Sequence, residues 1–314
     1  MNFELTSEQQ AFADAIGKFS VNELAPGALE RAHSPHYPWD IASKLSEQGL
    51  LGITLPEKDG GQGGTLMDAV IAIQEVAMHC PKSADVVQAG NFGAIRTFAE
   101  YASEQQKEKY LPDLLAGKKI LGLGMSEPGA GSAVTELQTS AKKVDGGYLI
   151  NGSKVFSTHS PEAAVFLIYL RFGPGLDGIG SVLVERGADG LIIGQPNSFM
   201  SGEEWSQLYF EDCFISDDSV LLGPGGFKKQ ISGFNIERIG NSSRALALGR
   251  YAFNKAKEYA SVRKQFGKDI CEFQGIQWKF AEMAVKLDAA QLLLYRAAVN
   301  AEAGLPSAYE TTVA

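Results

Sequence analysis

The sequence predicts an α+β protein of several domains, with helices at both ends and a β domain between them. Three observations predict this fold class. Residues 1–120 carry helical periodicity, residues 121–223 form short apolar runs separated by Gly, Asp and Pro, and helical periodicity returns over residues 224–314. We therefore expect an N-terminal helical domain, a central antiparallel sheet or barrel, and a C-terminal helical bundle with these boundaries.

The N-terminal domain is predicted from a helix start and from apolar periodicity. Thr6 is a candidate N-cap, with Glu8 and Gln9 just inside the first turn. The Gly-rich segment DGGQGG, Asp59–Gly64, is expected to be a connection between helices. Further helices are expected at about residues 40–49, 65–80 and 104–116.

The β domain begins near the segment SEPGAGS, Ser126–Ser132. Two glycines and a proline within this segment are incompatible with a helix interior or a central strand, so a loop with available amide groups is expected. Its small residues let a ligand approach the main chain, and the hydroxyls of Ser126 and Ser132 add donors. Such a loop can hold an anion or the edge of a polar ring.

The residues after this loop are typical of hairpins. We expect a strand, a tight turn at Gly146, a short strand over Tyr148–Ile150, a second turn at Asn151–Gly152, and a strand bearing Phe156 and Thr158. Because side chains alternate along a strand, Phe156 and Thr158 should face the same side. An aromatic ring and a hydroxyl on one side suit a planar heterocycle that stacks on one and hydrogen-bonds to the other.

The segments SEPGAGS and KVFST (Lys154–Thr158) resemble the acyl-CoA dehydrogenase family, in which a T/S-EPGAGS loop and a K-x-W-I/S-T strand wrap the flavin of FAD. The resemblance runs the whole length of the chain. Two positions depart from the family pattern, since Phe156 stands where Trp is usual and Ala133 where Asp is usual. The resemblance implies that the FAD-binding residues of this region are Met125, Ser126, Gly131, Ser132, Phe156 and Thr158.

The C-terminal domain is predicted to be a bundle. A stripe of apolar residues at spacings of four and three indicates a helix that packs in the core and in part faces another subunit. Ser307 is a candidate cap of a further helix. Residues 224–314 are fewer than the roughly 100 that a four-helix bundle needs, so the bundle is expected to be truncated. The stripe consists of Ile276, Phe280, Met283, Leu287, Ala290, Leu294 and Ala297.

A second segment, VRKQFGKDICEFQGIQ, resembles the family's RxxFG and the Gln that follows it, which bind the FAD pyrophosphate and adenine of a neighbouring subunit. The resemblance implies that Arg263, Phe266 and Gln274 are cofactor residues, with Arg263 a charge-assisted donor to phosphate. It also implies a homo-oligomer, either a dimer or a tetramer.

The implied activity is the FAD-dependent α,β-dehydrogenation of an acyl-CoA in fatty acid metabolism, with electrons passing to an electron-transfer flavoprotein or a similar acceptor. This reaction needs a base for the α-proton and a flavin for the β-hydride. Some family members place a Glu on the first long helix of the C-terminal domain, in a segment resembling LERL. That segment reads FNIERIG here, so Glu237 is the candidate base. In most members the base lies in the final helices, beyond Ala314.

The same resemblance implies the substrate contacts. Ser132 resembles a Ser that contacts substrate at the end of the flavin loop, and Arg238 resembles an Arg of the substrate cavity. Asn235 is included with them, although many members have Asp at that position. Thr158 is expected to hydrogen-bond near flavin N5, which accepts the hydride.

Two alternative functions remain open at this point. The stretches YPWD, GNFGAI, SEPGAGSA and EFQGIQW also resemble the desulfinase branch, which cleaves a sulfinate from 3-sulfinopropionyl-CoA without net oxidation. That branch lacks the catalytic Glu and carries an Arg for the sulfinate. The equivalent region here offers Asp85, which together with Glu237 favours dehydrogenation, although Lys82 lies close in sequence. The third hypothesis is a non-catalytic flavin-binding protein.

Composition excludes several other classes. A net charge of −9 argues against non-specific nucleic-acid binding, and the absence of an apolar run of about 18 residues or of a signal sequence predicts a cytoplasmic protein without a membrane segment. Cys80, Cys213 and Cys271 form no CxxC pair, so buried reduced thiols are expected. The four histidines show no metal-ligand spacing, and we expect no metal site.

Overall fold

The computed structural model describes residues 4–301 and 305–314. The chain divides into two compact units. The first comprises Met1–Ala28, Gly64–Gln88 and Asn235–Ala314, and the second comprises Leu29–Gly63 and Ala89–Phe234. Within the described residues, no helix combines the length and the apolar character needed to cross a membrane.

The described residues contain helices at both ends of the chain and strands between them. In chain order the α-helices are α1 (Ser7–Phe19), α2 (Ala28–His33), α3 (Trp39–Glu47), α4 (Leu66–Ala77), α5 (Pro81–Ala89), α6 (Ala94–Tyr101), α7 (Glu104–Leu115), α8 (Phe227–Ala260), α9 (Gln274–Val299) and α10 (Ala308–Val313). The strands are β1 (Leu121–Gly124), β2 (Ser140–Val144), β3 (Gly147–Thr158), β4 (Val165–Arg171), β5 (Ile179–Glu185), β6 (Leu191–Ile193), β7 (Asn197–Ser198), β8 (Glu204–Ser216), β9 (Val220–Leu222), β10 (Lys264–Gln265) and β11 (Lys268–Asp269).

The helix starts follow the sequence closely. Thr6 caps α1 as predicted, because its hydroxyl accepts a bond from Gln9 N at 3.2 Å while the Gln9 side chain accepts one from Thr6 N at 3.0 Å. The three predicted helices correspond to α3, α4 and α7, and Ser307 caps α10 as predicted. Helices α2, α5 and α6, which have 6, 9 and 8 residues, were not predicted.

The first unit is helical, and α4 lies at its centre. Helix α1 packs against α4, α4 packs against α9, and α10 packs against α9. The predicted core stripe of α9 is fully buried only near its C-terminal end, at Leu294 and Ala297, whereas Met283 is 37% exposed. The reason is length: α4 has 12 residues and α9 has 26, so α4 covers only part of α9.

The second unit is built on an open, mixed sheet with the strand order β6-β8-β3-β2-β4-β5-β9, in which β1 also pairs with β4 and β7 with β8. The predicted antiparallel sheet or barrel was therefore wrong. Strand β1 runs parallel to β4, β2 meets β4 in parallel at Ser140 and Arg171, and edge strands β6 and β9 do not pair. A short apolar run indicates a strand but not its direction. The β2–β3 hairpin between β1 and β4 provides the crossover that parallel pairing requires.

The β2–β3 hairpin was predicted correctly at its first turn, since β2 and β3 pair antiparallel across Gly146. The second predicted turn, at Asn151–Gly152, was wrong. Strand β3 continues to Thr158, and its register shifts by a bulge at Gly152, whose φ is 141°. A Cβ at Gly152 would lie 2.6 Å from Thr139 Oγ1, so only glycine fits this bend.

Strand β4 carries the core of the second unit because it is buried on both faces. Val165, Leu167 and Tyr169 join one apolar cluster together with Phe98, as expected from the period of two. The residues between them join a second cluster together with Ile150. The predicted buried thiols are found at Cys80 and Cys213, whereas Cys271 is half-buried.

Candidate functional site

The SEPGAGS loop is fixed to the KVFST strand by a buried ion pair. Lys154 Nζ lies 2.6 Å from Glu127 Oε1 and donates to Met125 O at 3.1 Å. Val155 N donates to Ser126 O at 2.9 Å. Lys154 is 0% exposed and Glu127 is 8% exposed, so the two halves of the motif are joined inside the protein.

The Glu127 carboxylate is saturated with donors. Besides Lys154, it accepts bonds from Gln138 N at 2.6 Å and Thr139 N at 2.9 Å. Burial by itself would raise the pKa of Glu127, but the bonds from Lys154, Thr139 and Gln138 bring it below its ordinary value. Burial lowers the pKa of Lys154 to about 8, against the opposing effect of Glu127. Both groups are therefore charged at neutral pH.

The loop itself is a tight turn with an open side. Glu127 and Ala130 exchange backbone hydrogen bonds of 3.0 and 3.1 Å. A Cβ at Gly129 or Gly131 would meet nothing within 4 Å, so a ligand can approach the main chain there. Of the predicted cofactor residues in this loop, Met125 and Ser126 are half-buried, while Gly131 and Ser132 are exposed.

Phe156 and Thr158, which the sequence predicted to share one side of the strand, are both exposed on β3. Phe156 is 58% exposed and has a φ of 56°, next to a second bulge between Lys154 and Ser157. Its left-handed backbone is uncommon for a bulky residue and marks a site where strain is retained.

Trp205 lies beside two of the predicted cofactor residues, although no sequence pattern pointed to it. The β3–β8 register places it directly opposite Thr158. Its ring centroid lies 4.7 Å from that of Phe156 and 6.0 Å from that of Phe199. The strand pairing thus assembles an aromatic surface around the two residues predicted to meet a planar ligand.

Glu237 belongs to a polar cluster on α8 in the first unit. Its Oε1 accepts bonds from Gln88 Nε2 at 2.7 Å and from Asn241 Nδ2 at 3.3 Å. The Gln88 amide also donates to Asn241 Oδ1 at 2.9 Å, and Asp85 forms an ion pair with Arg244 one turn further along. Sequence reasoning missed Gln88 and Asn241, and the spacing of Glu237 and Asn241 by four residues was the only signal available.

Burial raises the pKa of Glu237 to about 7. The hydrogen bond from Gln88 opposes this shift, the charge of Asp85 adds to it, and Arg244 and Asn241 oppose it. A carboxyl group with this pKa can exchange a proton at neutral pH, which an ordinary Glu does poorly.

The two predicted substrate residues of α8 lie beside Glu237. Arg238 donates from its guanidinium to Asn235 Oδ1 at 2.8 Å, and Arg238 is exposed. The pair is adjacent to the candidate base in sequence, and its cation remains available to solvent.

The second predicted cofactor segment forms the β10–β11 hairpin and the start of α9. Phe266 and Gly267 form its tip, with φ values of 52° and 81° that suit a two-residue hairpin turn. Phe266 is 94% exposed, and its ring lies 6.2 Å from that of Phe273. Arg263 and Gln274 are also exposed, so the structure presents all three predicted residues on the surface of the first unit.

Comparison with known proteins defines the family. Residues 6–118, 122–213 and 224–314 match, respectively, the N-terminal, middle and C-terminal domains of acyl-CoA dehydrogenases. The chain is 33% identical to the short-chain specific acyl-CoA dehydrogenase of Clostridium acetobutylicum, over 98% of this chain and 82% of that protein. It is 35% identical to the 3-sulfinopropanoyl-CoA desulfinase of Advenella mimigardefordensis, over 96% of this chain and 77% of that protein.

Solved structures agree with this assignment. The butyryl-CoA dehydrogenase from Megasphaera elsdenii matches with a TM-score of 0.92 and 31% identity, covering 100% of this chain and 84% of that one. An FAD complex of PigA matches with a TM-score of 0.94 and 26% identity over the same shares, which supports the prediction of FAD as cofactor. The fold and these matches define an oxidoreductase. The chain belongs to the acyl-CoA dehydrogenase family.

Proposed function

We propose that this protein catalyses the FAD-dependent α,β-dehydrogenation of an acyl-CoA thioester, with Glu237 as the base. The observation that carries the proposal is the environment of Glu237, whose pKa burial raises to about 7 and whose Oε1 is held by two side-chain amides. A general base works best when its pKa lies near the operating pH. In this proposal Glu237 removes the α-hydrogen as a proton.

The loop and strand of the second unit fit a flavin. The open space beside Gly131, the exposed ring of Phe156 and the hydroxyl of Thr158 offer close backbone approach, stacking and a hydrogen bond. When bound, FAD supplies the acceptor for the β-hydride. The proposed cofactor residues of this unit are Met125, Ser126, Gly131, Ser132, Phe156 and Thr158.

The exposed hairpin residues of the first unit complete the cofactor proposal. Arg263, Phe266 and Gln274 are proposed to hold the pyrophosphate and adenine of FAD bound by a second copy of the chain, which makes the active form at least a dimer. Their outward orientation supports this reading, because exposed residues are free to reach another subunit. An electron-transfer flavoprotein or a similar carrier is the proposed electron acceptor.

The substrate is proposed to contact Ser132, Asn235 and Arg238. In a chain with a net charge of −9, the exposed Arg238 cation is a local attraction for the phosphates of a CoA thioester. Its bond to Asn235 orients the guanidinium. Replacing Arg238 by Gln should raise the substrate concentration needed for half-maximal flavin reduction more than it lowers the limiting rate.

The proposal is tested by mixing the holoprotein anaerobically with a panel of straight-chain acyl-CoAs, including butyryl-CoA, and following flavin absorbance. Bleaching with formation of an enoyl-CoA supports the proposal. Absence of bleaching with every member of the panel refutes it.

Desulfination is the second candidate function, because the desulfinase from Advenella mimigardefordensis is as similar to this chain as the dehydrogenases are. Lys82 on α5 is buried, lies one turn before Asp85 and is the cation nearest to Asp85 in sequence with which a sulfinate could pair. Supplying 3-sulfinopropanoyl-CoA separates the two functions: sulfite release with the flavin remaining oxidised supports desulfination, whereas acyl-CoA-dependent bleaching supports dehydrogenation.

A further inference from the structure

Two helices of the first unit meet along matching polar faces. Helix α5 presents Asp85 and Gln88, three residues apart, and α8 presents Glu237, Asn241 and Arg244 at spacings of four and three. Such spacings place each set on one side of its helix. Gln88 bonds to Glu237 and Asn241, while Asp85 pairs with Arg244.

The Gln88 side chain uses both of its amide hydrogens. Nε2 donates to Glu237 Oε1 at 2.7 Å and to Asn241 Oδ1 at 2.9 Å. Its own Oε1 is buried and has no hydrogen-bond partner among the described residues. A buried acceptor without a partner destabilises the folded state, so packing alone does not explain why Gln stands at this position.

The two oxygens of Glu237 are not equivalent. Both hydrogen bonds that the carboxylate accepts, from Gln88 and from Asn241, end on Oε1. In the part of the chain that the structure describes, Oε2 accepts none. An oxygen that accepts two bonds has little remaining capacity to take a proton, whereas the other oxygen keeps its lone pairs available.

We infer that Gln88 is the positioning residue of the proposed base: together with Asn241 it holds Oε1 of Glu237, so that Oε2 receives the α-proton of the substrate. This inference rests on the proposed function. The α-carbon C–H bond breaks, its proton forms an O–H bond to Oε2, and its electron pair becomes the new double bond between the α- and β-carbons as the β-hydrogen leaves as hydride. FAD, when bound, would accept that hydride. In this scheme Gln88 contacts only Glu237 and Asn241, and it takes no part in the bonds that form and break.

The inference predicts how the pKa of Glu237 responds to the loss of Gln88. The hydrogen bond from Gln88 favours the charged carboxylate and so acts against burial. The charged groups that act on Glu237 are Asp85, which raises its pKa, and Arg244, which lowers it. Removing the Gln88 donor removes one of the interactions that lower the pKa of Glu237, while burial continues to raise it. The pKa of Glu237 should therefore rise further above its ordinary value.

The test uses Gln88→Met in the holoprotein, because Met keeps the length of the side chain, removes the donor and also removes the unsatisfied Oε1. The matched control is Gln74→Met. Gln74 is another buried helical glutamine of the same unit, 9% exposed, and it exchanges two bonds of 3.1 Å with Gln291. Neither residue of that pair is assigned to the site.

The first readout is the pH dependence of the rate constant for flavin reduction, with butyryl-CoA as the probe. In Gln88→Met the acidic limb should move up by about one pH unit, and the limiting rate should fall about tenfold. Gln74→Met should match the wild type. A wild-type profile in Gln88→Met overturns the inference. If the flavin of Glu237→Gln is also reduced at the wild-type rate, the proposed function fails as well. The result with Glu237→Gln therefore distinguishes a failure of the proposed function from a failure of the inference about Gln88 alone.

The second readout requires neither substrate nor turnover. The difference in melting temperature between a protein and its Glu237→Gln derivative, followed against pH, reports the titration of Glu237. The midpoint should be about one pH unit higher in the Gln88→Met background than in the wild type. An unchanged midpoint contradicts the inference, whatever the catalytic result.

Discussion

The buried Glu127–Lys154 pair gives a prediction about what holds the flavin loop in place. Lys154 has a side chain that is 0% exposed and Glu127 one that is 7% exposed, with 2.6 Å between their charged atoms. Replacing Lys154 by Met removes the cation and leaves a buried carboxylate held only by two backbone amides, from Gln138 and Thr139. Breaking a buried pair in this way costs about 3–5 kcal/mol, because one charge remains uncompensated.

The double variant Glu127→Gln/Lys154→Met tests the cause of that cost. A neutral amide can still accept one backbone bond, and no charge remains buried. The double variant should therefore lose less unfolding free energy than the two single variants lose together, by about 1.5–3 kcal/mol.

Urea unfolding followed by tryptophan fluorescence measures these free energies of unfolding, provided that the fluorescence comes from the second structural unit, which contains Glu127 and Lys154. Of the three tryptophans, Trp39 and Trp205 belong to the second unit, and Trp278, which is 61% exposed, belongs to the first. In a Trp278→Phe background the signal reports the unit that contains the ion pair. A loss below about 1 kcal/mol in Lys154→Met, or additive single variants, would refute the assignment.

Three further predictions concern other residues. Replacing Trp205 by Leu removes the ring whose centroid lies 4.7 Å from that of Phe156, and it should weaken FAD binding to the apoprotein about fivefold to tenfold. Trp278→Phe should leave FAD affinity unchanged. Equal affinities of the Trp205→Leu variant and the wild type would argue against a stacking role for Trp205. Gln230 is 0% exposed, and neither of its side-chain amide atoms has a hydrogen-bond partner among the described residues. Gln230→Met should therefore raise the free energy of unfolding in urea by about 1–3 kcal/mol. A destabilised variant would show that the amide is satisfied. The pKa of Glu237 is raised from 4.5 to about 7, so between these pH values the folded state binds more protons than the unfolded state. The free energy of unfolding should therefore fall as pH rises through this window, by roughly 3 kcal/mol at most. Glu237→Gln should remove this pH dependence, and a dependence that persists in the variant would show that another group causes it.

Much of the fold could be predicted because its signals are local. The Thr6 cap depends on residues within three positions, and the β2–β3 turn is marked by Gly146 itself. Strand direction is not local, since the apolar run of β4 is the same whichever way β1 runs beside it. Gly152 was misread for a related reason: a glycine breaks a strand pattern whether it makes a turn or a bulge.

The candidate site divides in the same way. Phe156 and Thr158 could be placed on one side of a strand from their spacing alone, and the structure confirms their exposure. Gln88 could not be linked to Glu237, because the two are 149 positions apart and only the packing of α5 on α8 brings them together. The position of Trp205 likewise depends on the β3–β8 register, which no sequence pattern specifies.

Single-turnover flavin reduction in a matched pair of variants tests whether Glu237 is the base. Glu237→Gln removes the candidate base, while Glu75→Gln removes another half-buried glutamate of the first unit, whose pKa is likewise raised by burial and by Asp14. We predict that Glu237→Gln slows flavin reduction by acyl-CoA at least a thousandfold and that Glu75→Gln stays within about twofold of the wild type. Reduction in Glu237→Gln within about tenfold of the wild type would contradict this prediction.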